Sequence, residues 1–317
     1  MNPFNHAIYN SIPFFDDSVT PALTVNDVTE NSLYWPHVYR AVDWPEITTN
    51  KNYFILYSTD HDLDSSSTGG GIWWGEFDSF TETGITGFIE KGLIIEGYQA
   101  ETPWLIRIPT SVSGLANDTI FLYYHTYQSP GYVIDQETQL ITTTGGELHT
   151  ATWTLRDKPL NPPLTGEDHL GYSRPFFRAD NSLITHHLYD SNDFQGGKVS
   201  ESIDGLSFSR IAQFDATENM PAGSYFNRIQ IAPFNHNNTL YGFINMKGEN
   251  AGIAIVKLDT TTYLPSEFVK SILYYDIRDL RVYIENGVAN FFLKQGTSQD
   301  NGKPYFLWKY ELSNILI

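Results

Sequence analysis

The chain has 317 residues, with 19 basic against 37 acidic side chains and a formal charge of −18, a balance that excludes the basic footprint of a nucleic-acid binder. It contains no cysteine, so disulfides, thiolate metal sites and cysteine nucleophiles are excluded. Charged residues make up 18% of the chain and aromatic residues 15%, a globular rather than a disordered composition.

The opening stretch, "MNPFNHAIYNSIPFFDD", has neither a basic segment nor an unbroken apolar core, so no secretory signal is expected. No run of about 18 apolar residues predicts a membrane span. A soluble chain is expected, and an extracellular or virion-associated protein would carry the same features. Further on, short aromatic and β-branched runs alternate with Gly, Asn, Asp and Ser clusters. In order they include "NYFILYS" (52–58), "GGIWWGEF" (70–77), "TIFLYYHTY" (119–127), "TLYGFINM" (239–246), "GIAIVKL" (252–258), "VANFFLKQ" (288–295) and "PYFLWKYEL" (304–312). These predict strands at regular spacing and almost no helix.

The strands recur in five units with one grammar: an opening strand, a turn, an aromatic second strand, a polar loop and a third strand carrying Gly. A large β-sandwich accounts for the strands but not for the recurrence. The prediction is an all-β, five-bladed β-propeller of four-stranded antiparallel blades. It occupies 34–317, with blades at approximately 34–95, 96–165, 166–220, 221–270 and 271–317. Residues 1–33 are less regular and are expected to supply a ring-closing strand.

Stacking the units by their opening strands gives two columns. The first holds Asp43, Glu101, Ser173, Asn227 and Leu280, and the second Trp44, Thr102, Arg174, Arg228 and Arg281. First strands line the axis of a propeller, so this register predicts two carboxylates and three arginines at one end of it. Two carboxyl groups about 5 to 9.5 Å apart are what glycoside hydrolysis requires. Three guanidinium groups suit an anionic sugar, or else neutralise Asp43, Glu101 and Asp279.

"DWPEI" before an aromatic strand, and "SESIDGLSFSRI" in the third unit, resemble the five-bladed glycosidase superfamily that includes glycoside hydrolase families 32, 43, 68, 117 and 130. There, blades open with an acid before proline, and a third-to-fourth strand hairpin reads Ser-x-Asp-Gly-x-x-aromatic, matched here by Ser202, Asp204, Gly205 and Phe208. The resemblance implies Asp43 as base or nucleophile and, from "ETP", Glu101 as acid. It departs from family 43, whose third and fourth blades supply an aspartate and the acid where this chain has Arg174 and Arg228.

Three further groups are candidates. His125 and His187, with His61 and His186, are placed near the ends of second strands, where they would bond sugar hydroxyls or hold a metal, or do neither. Trp44, with Trp73, Trp74, Tyr124 and Tyr127, could stack on sugar faces or pack between blades. Asp60, Asp62 and Asp64 alternate in a loop as at the start of a calcium site, without the Gly and Glu that complete that pattern; a solvated turn is the competing reading. No cofactor is required by these features, structural Ca2+ being the one ion they would suit. The expected partner is carbohydrate, with no nucleic acid and no membrane insertion. The expected function is a glycoside hydrolase acting on a poly- or oligosaccharide with an anionic sugar; the alternative is a non-catalytic glycan-binding protein such as a viral or phage receptor-binding spike.

Overall fold

The computed structural model describes residues 33–59, 71–82, 84–97, 100–117, 119–127, 136–156, 159–160, 170–187, 196–274, 277–295 and 305–315, with side chains at 127, 136, 196, 227–230, 274, 278, 279 and 295 left aside. The ring-closing strand expected in 1–33 therefore lies outside the described residues, apart from Leu33.

Five antiparallel sheets form a five-bladed propeller. The first holds β1 (Tyr34–Arg40), β2 (Tyr53–Thr59), β3 (Gly71–Phe77) and β6 (Ile89–Glu96), with a small ribbon of β4 (Ser79–Phe80) and β5 (Ile85–Thr86) between the last two. The second holds β7 (Glu101–Arg107), β8 (Ile120–Tyr127), β9 (Gln136–Thr143) and β10 (Thr154–Leu155). The third holds β11 (Phe176–Phe177), β12 (Leu183–His187), β13 (Gly196–Ser202) and β14 (Ser209–Asp215). In the fourth are β15 (Ser224–His236), β16 (Thr239–Gly248), β17 (Gly252–Leu258) and β18 (Pro265–Tyr274). The fifth has three strands among the described residues, β19 (Ile277–Glu285), β20 (Val288–Gln295) and β21 (Tyr305–Glu311). Among the described residues, no helix is long and apolar enough to cross a membrane.

Local chemistry sets these elements. The β19–β20 connection is Asn286-Gly287, with φ of 50° and 79°, and the β15–β16 connection is Asn237-Asn238, with φ of 48° and 63°. Two left-handed residues in a two-residue loop match the right-handed twist of the flanking strands, which is why Asn and Gly occupy them. Second strands such as β2, "YFILYST", are buried almost throughout because both faces meet protein, so they read as continuous apolar runs. Outer strands such as β14, "SRIAQFD", alternate between exposed and covered positions, as one-sided strands do.

The core is divided among the junctions between blades. One apolar cluster joins Phe54, Leu56 and Trp74 to Leu105, Ile120 and Leu122 of the second blade. Four others span the remaining junctions, the last closing the ring by packing Ile55, Tyr57 and Phe77 on Phe292, Tyr305 and Leu307.

Among the described residues, the hairpins joining a third to a fourth strand lean back on the blade before. In blade three, Asp204 Oδ1 accepts from the Ser202 hydroxyl at 2.9 Å and from Leu206 N–H at 2.8 Å. The Tyr123 hydroxyl of blade two donates to Gly205 O at 2.5 Å, and Phe208 N–H donates to Pro159 O at 2.8 Å. The Ser-x-Asp-Gly-x-x-aromatic motif is thus an inter-blade clasp. In blade four, Asp259 organises the equivalent turn, and Thr262 O accepts from His186 Nε2 of blade three at 2.8 Å. In blade one, Phe80 stacks on Tyr283 of blade five at 5.7 Å.

One strand assignment is corrected. "DWPEI" does not open the first blade; β1 is "YWPHVYR", and Asp43 ends a 3-10 turn, Ala41–Asp43, that follows it. Equivalent registers establish this. Tyr34 pairs with Ser58 and His37 with Leu56, while Glu101 pairs with His125 and Trp104 with Tyr123, each with a slip in between. Trp35 and Thr102, both followed by proline, share a left-handed φ, 48° and 51°. Tyr34 is thus the counterpart of Glu101, and Pro36 that of Pro103.

Two stability effects follow. Gly205 has φ +76°, and a Cβ there would stand 2.3 Å from Ile108 Cδ1, so Gly205→Val is expected to lower the unfolding free energy in urea by about 2–3 kcal/mol. His186 is buried, and its pKa is pushed down to about 4 by that burial against the opposing bond to Thr262. Between pH 6.5 and about 4 the unfolded chain takes up a proton that the folded chain refuses, so stability falls as pH drops through this window and levels below it. Thermal melts of His186→Gln against pH should show a flatter acid limb, the lost dependence being about 3 kcal/mol.

Candidate functional site

The inner strands run in one direction along the axis. The rings of His37 and Trp104 lie 5.0 Å apart, Leu105 N–H donates to the Tyr39 hydroxyl at 2.9 Å, and Arg107 pairs with Glu46. Starts of inner strands therefore share one face of the ring, and their ends the other.

This arrangement separates the two carboxylates. Glu101 is the first residue of β7, whereas Asp43 follows the last residue of β1. A seven-residue strand is roughly 20 Å long, so the two lie at opposite ends of the axis, far beyond the ~5–9.5 Å of a glycosidase pair. Asp43 is exposed and bidentate to Arg40, at 2.7 and 3.0 Å. Trp44 packs on Tyr39 at 5.3 Å and Phe54 at 6.0 Å. It belongs to the junction of blades one and two at that far end.

Around Glu101 the groups are buried. Glu101 and His125, facing each other across β7 and β8, are each 1% exposed, with Oε1 and Nδ1 3.1 Å apart. The His125 ring lies 5.0 Å from Tyr172, which meets Trp35 edge-on at 6.3 Å. His187, fully buried at the end of β12, comes to the same face.

Trp35, Thr102 and Tyr172 all have left-handed φ, 48°, 51° and 62°. Such a conformation is costly for bulky residues, and persists where the surroundings over-determine it. Trp35 is fixed by its N–H, which donates to the Tyr305 hydroxyl at 2.9 Å. Beside it, Lys294 is fully buried, donating to Leu33 O at 2.9 Å with its ammonium 3.9 Å over the Tyr34 ring. Trp35 packs in the apolar cluster of blades three and four. It stands on blade one and its ring meets that of Tyr172 on blade three, so the indole reaches across the Glu101 end of the axis.

Among the described residues, the expected ring of three arginines is seen only in part. Arg174 lines the axial channel. Arg281 is buried outside that lining, with Nη1 donating to Leu280 O at 3.4 Å. Arg228 lies on β15, its side chain outside those described, as are Asp60, Asp62 and Asp64. Trp35, His37, Tyr172 and Lys294 were missed by the sequence reading. The parallel between "WP" at 35–36 and "TP" at 102–103 was the signal that could have found the first two.

No protein-family model matches the chain, and no curated protein matches it by sequence. In three dimensions it is similar to an endo-arabinase from Bacteroides thetaiotaomicron (TM-score 0.56, 9% identity, covering 94% of this chain and 98% of that one). A family 117 glycoside hydrolase from Zobellia galactanivorans is also similar (TM-score 0.56, 11% identity, covering 93% and 89%). An exo-β-1,3-galactanase from Phanerochaete chrysosporium matches at TM-score 0.47 and 13% identity over 63% of this chain, which spans only 44% of the galactanase's length. The similarity to the arabinase and the family 117 enzyme establishes the fold: a five-bladed propeller of the kind found in glycoside hydrolases.

Proposed function

We propose that the protein is carbohydrate-active and engages a poly- or oligosaccharide at the face where its inner strands begin. The observation that carries this reading is the buried Glu101–His125 contact, placed beside three left-handed non-glycine residues from successive blades. Backbone strain gathered around a desolvated acid–histidine contact is a mark of functional sites. The fold shared with an arabinase and a family 117 hydrolase supports carbohydrate as the ligand class.

Retention of a glycan is the first reading. Cleavage is the second, favoured by those same enzymes. The Asp43–Glu101 pair has no part in either, because Asp43 stands at the other end of the axis. In a hydrolytic reading Glu101 would be the proton donor, with its second carboxylate supplied from elsewhere on its own face.

An array of neutral and anionic polysaccharides and oligosaccharides tests the proposal, followed by reducing-end release on those retained. At least one glycan class should be retained, with Glu101→Gln weakening retention about tenfold, as expected when a hydrogen-bonding carboxyl group is replaced. Asp43→Asn should match the native protein in retention and in any release. Failure of every glycan to bind overturns the reading, and loss of activity in Asp43→Asn would restore the abandoned pair.

A further inference from the structure

Along the axis lies a cavity of about 190 Å³, lined from all five blades. Its exposure changes along the strands. His37, Arg174 and Leu280, nearest the Trp35 end, are 7%, 7% and 2% exposed. Pro233, Val282 and Ile284, further along their strands, are only half-buried. The cavity is therefore most buried toward the Glu101 end, its floor, where His37 and Arg174 lie, and more open toward the opposite face.

The floor has a distinct chemistry. Arg174 brings a guanidinium into a lining that, His37 and Tyr283 apart, is made mostly of aromatic and aliphatic side chains. Trp104 is fixed as one wall: its Nε1–H donates to Pro175 O at 2.9 Å, and its ring lies 5.1 Å from Phe176. His37 is more than nine-tenths buried and lines the same pocket, and its Nε2 has no hydrogen-bond partner among the described residues. Burial first, and then the Arg174 charge, hold its pKa well below the usual histidine value. The ring is neutral at pH 7, and with its proton on Nε2 it offers one donor to the floor.

We propose that this axial pocket is a binding site for a small organic carboxylate, distinct from the glycan face. Its carboxylate bonds Arg174 and His37 Nε2 at the floor, and its apolar body fills the walls. A guanidinium and a neutral N–H donor are complementary to two carboxylate oxygens. The size agrees, since an apolar cavity of about 150 Å³ accommodates benzene and the remaining volume suits the carboxylate. The negative surface does not oppose binding at the floor, because exposed charges are screened within about 8 Å at physiological salt while buried ones are screened far less.

Benzoate is the direct probe, with benzyl alcohol as a neutral partner of similar shape and chloride as an anion without an apolar body. Calorimetry on the full chain should show saturable one-to-one binding of benzoate, with benzyl alcohol and chloride each at least about tenfold weaker. Arg174→Met should lose about tenfold or more. Ala232→Leu, which fills the half-buried part of the channel, should abolish binding while leaving glycan retention unchanged. If Arg174→Met fails to fold, Ala232→Leu decides the matter. The proposal is overturned if benzoate does not saturate, if it binds Ala232→Leu as it binds the native chain, or if benzyl alcohol binds equally well.

Discussion

The structure depends on the fact that no blade has a core of its own. Each of the five apolar clusters is shared by neighbouring blades, so a single blade would leave both faces of its middle strands in water. Burial of one Leu or Phe contributes about 1.5–3 kcal/mol, and these side chains are covered only when the ring closes. The backward-leaning hairpins serve the same end, because each covers the outer part of the preceding junction and pins its angle. Closure also forces the inner strands to run in one direction. All chemistry at strand starts is thereby gathered on one face, and all chemistry at strand ends on the other.

The seam between blades five and one shows how closure shapes that first face. Lys294 is fully buried there, a costly position for an ammonium unless its charge is met. The Leu33 carbonyl and the faces of Tyr34 and Tyr305, 3.9 and 5.6 Å away, meet it, a cation–π arrangement that strengthens on desolvation. The Tyr305 hydroxyl then accepts from Trp35 N–H, fixing a backbone conformation the tryptophan would otherwise avoid. One set of contacts thus locks the ring and sends the Trp35 indole across the axis. Closure and the shape of the mouth are a single event.

Much of this was legible in the sequence, because period-two patterning, paired turn residues and the five-fold grammar are local signals. The Ser202-Asp204-Gly205 hairpin was legible as a motif, though its role as a clasp on Tyr123 appears only in three dimensions. The position of Asp43 was misread because "DWPEI" and "YWPHV" carry the same proline signal nine residues apart. The interval that separates them was present: Tyr34 to Tyr53 and Glu101 to Ile120 are both 19 positions. An acid in the wrong turn outweighed an aromatic in the right one. The arginine column is hard to read from sequence for a different reason. A bulge shifts the register of four of the five inner strands, and one residue of slip moves a side chain from the axis to a neighbouring blade.

The two ends of the axis are consequently unlike in chemistry, although they belong to the same strands. At the starts, the strained mouth brings together Glu101, His125, Tyr172 and Trp35. At the ends, Arg40, Asp43 and Glu285 form a partly exposed network, in which the exposed Arg40–Asp43 pair contributes little. Between them the channel holds Arg174 in apolar surroundings, where a charge acts over short range with little screening. A chain of net charge −18 thus carries a guanidinium deep in its axial channel, away from its acidic surface. Selection for charge is moved inward, to a place only a small molecule can reach, while a long glycan can meet only the rim.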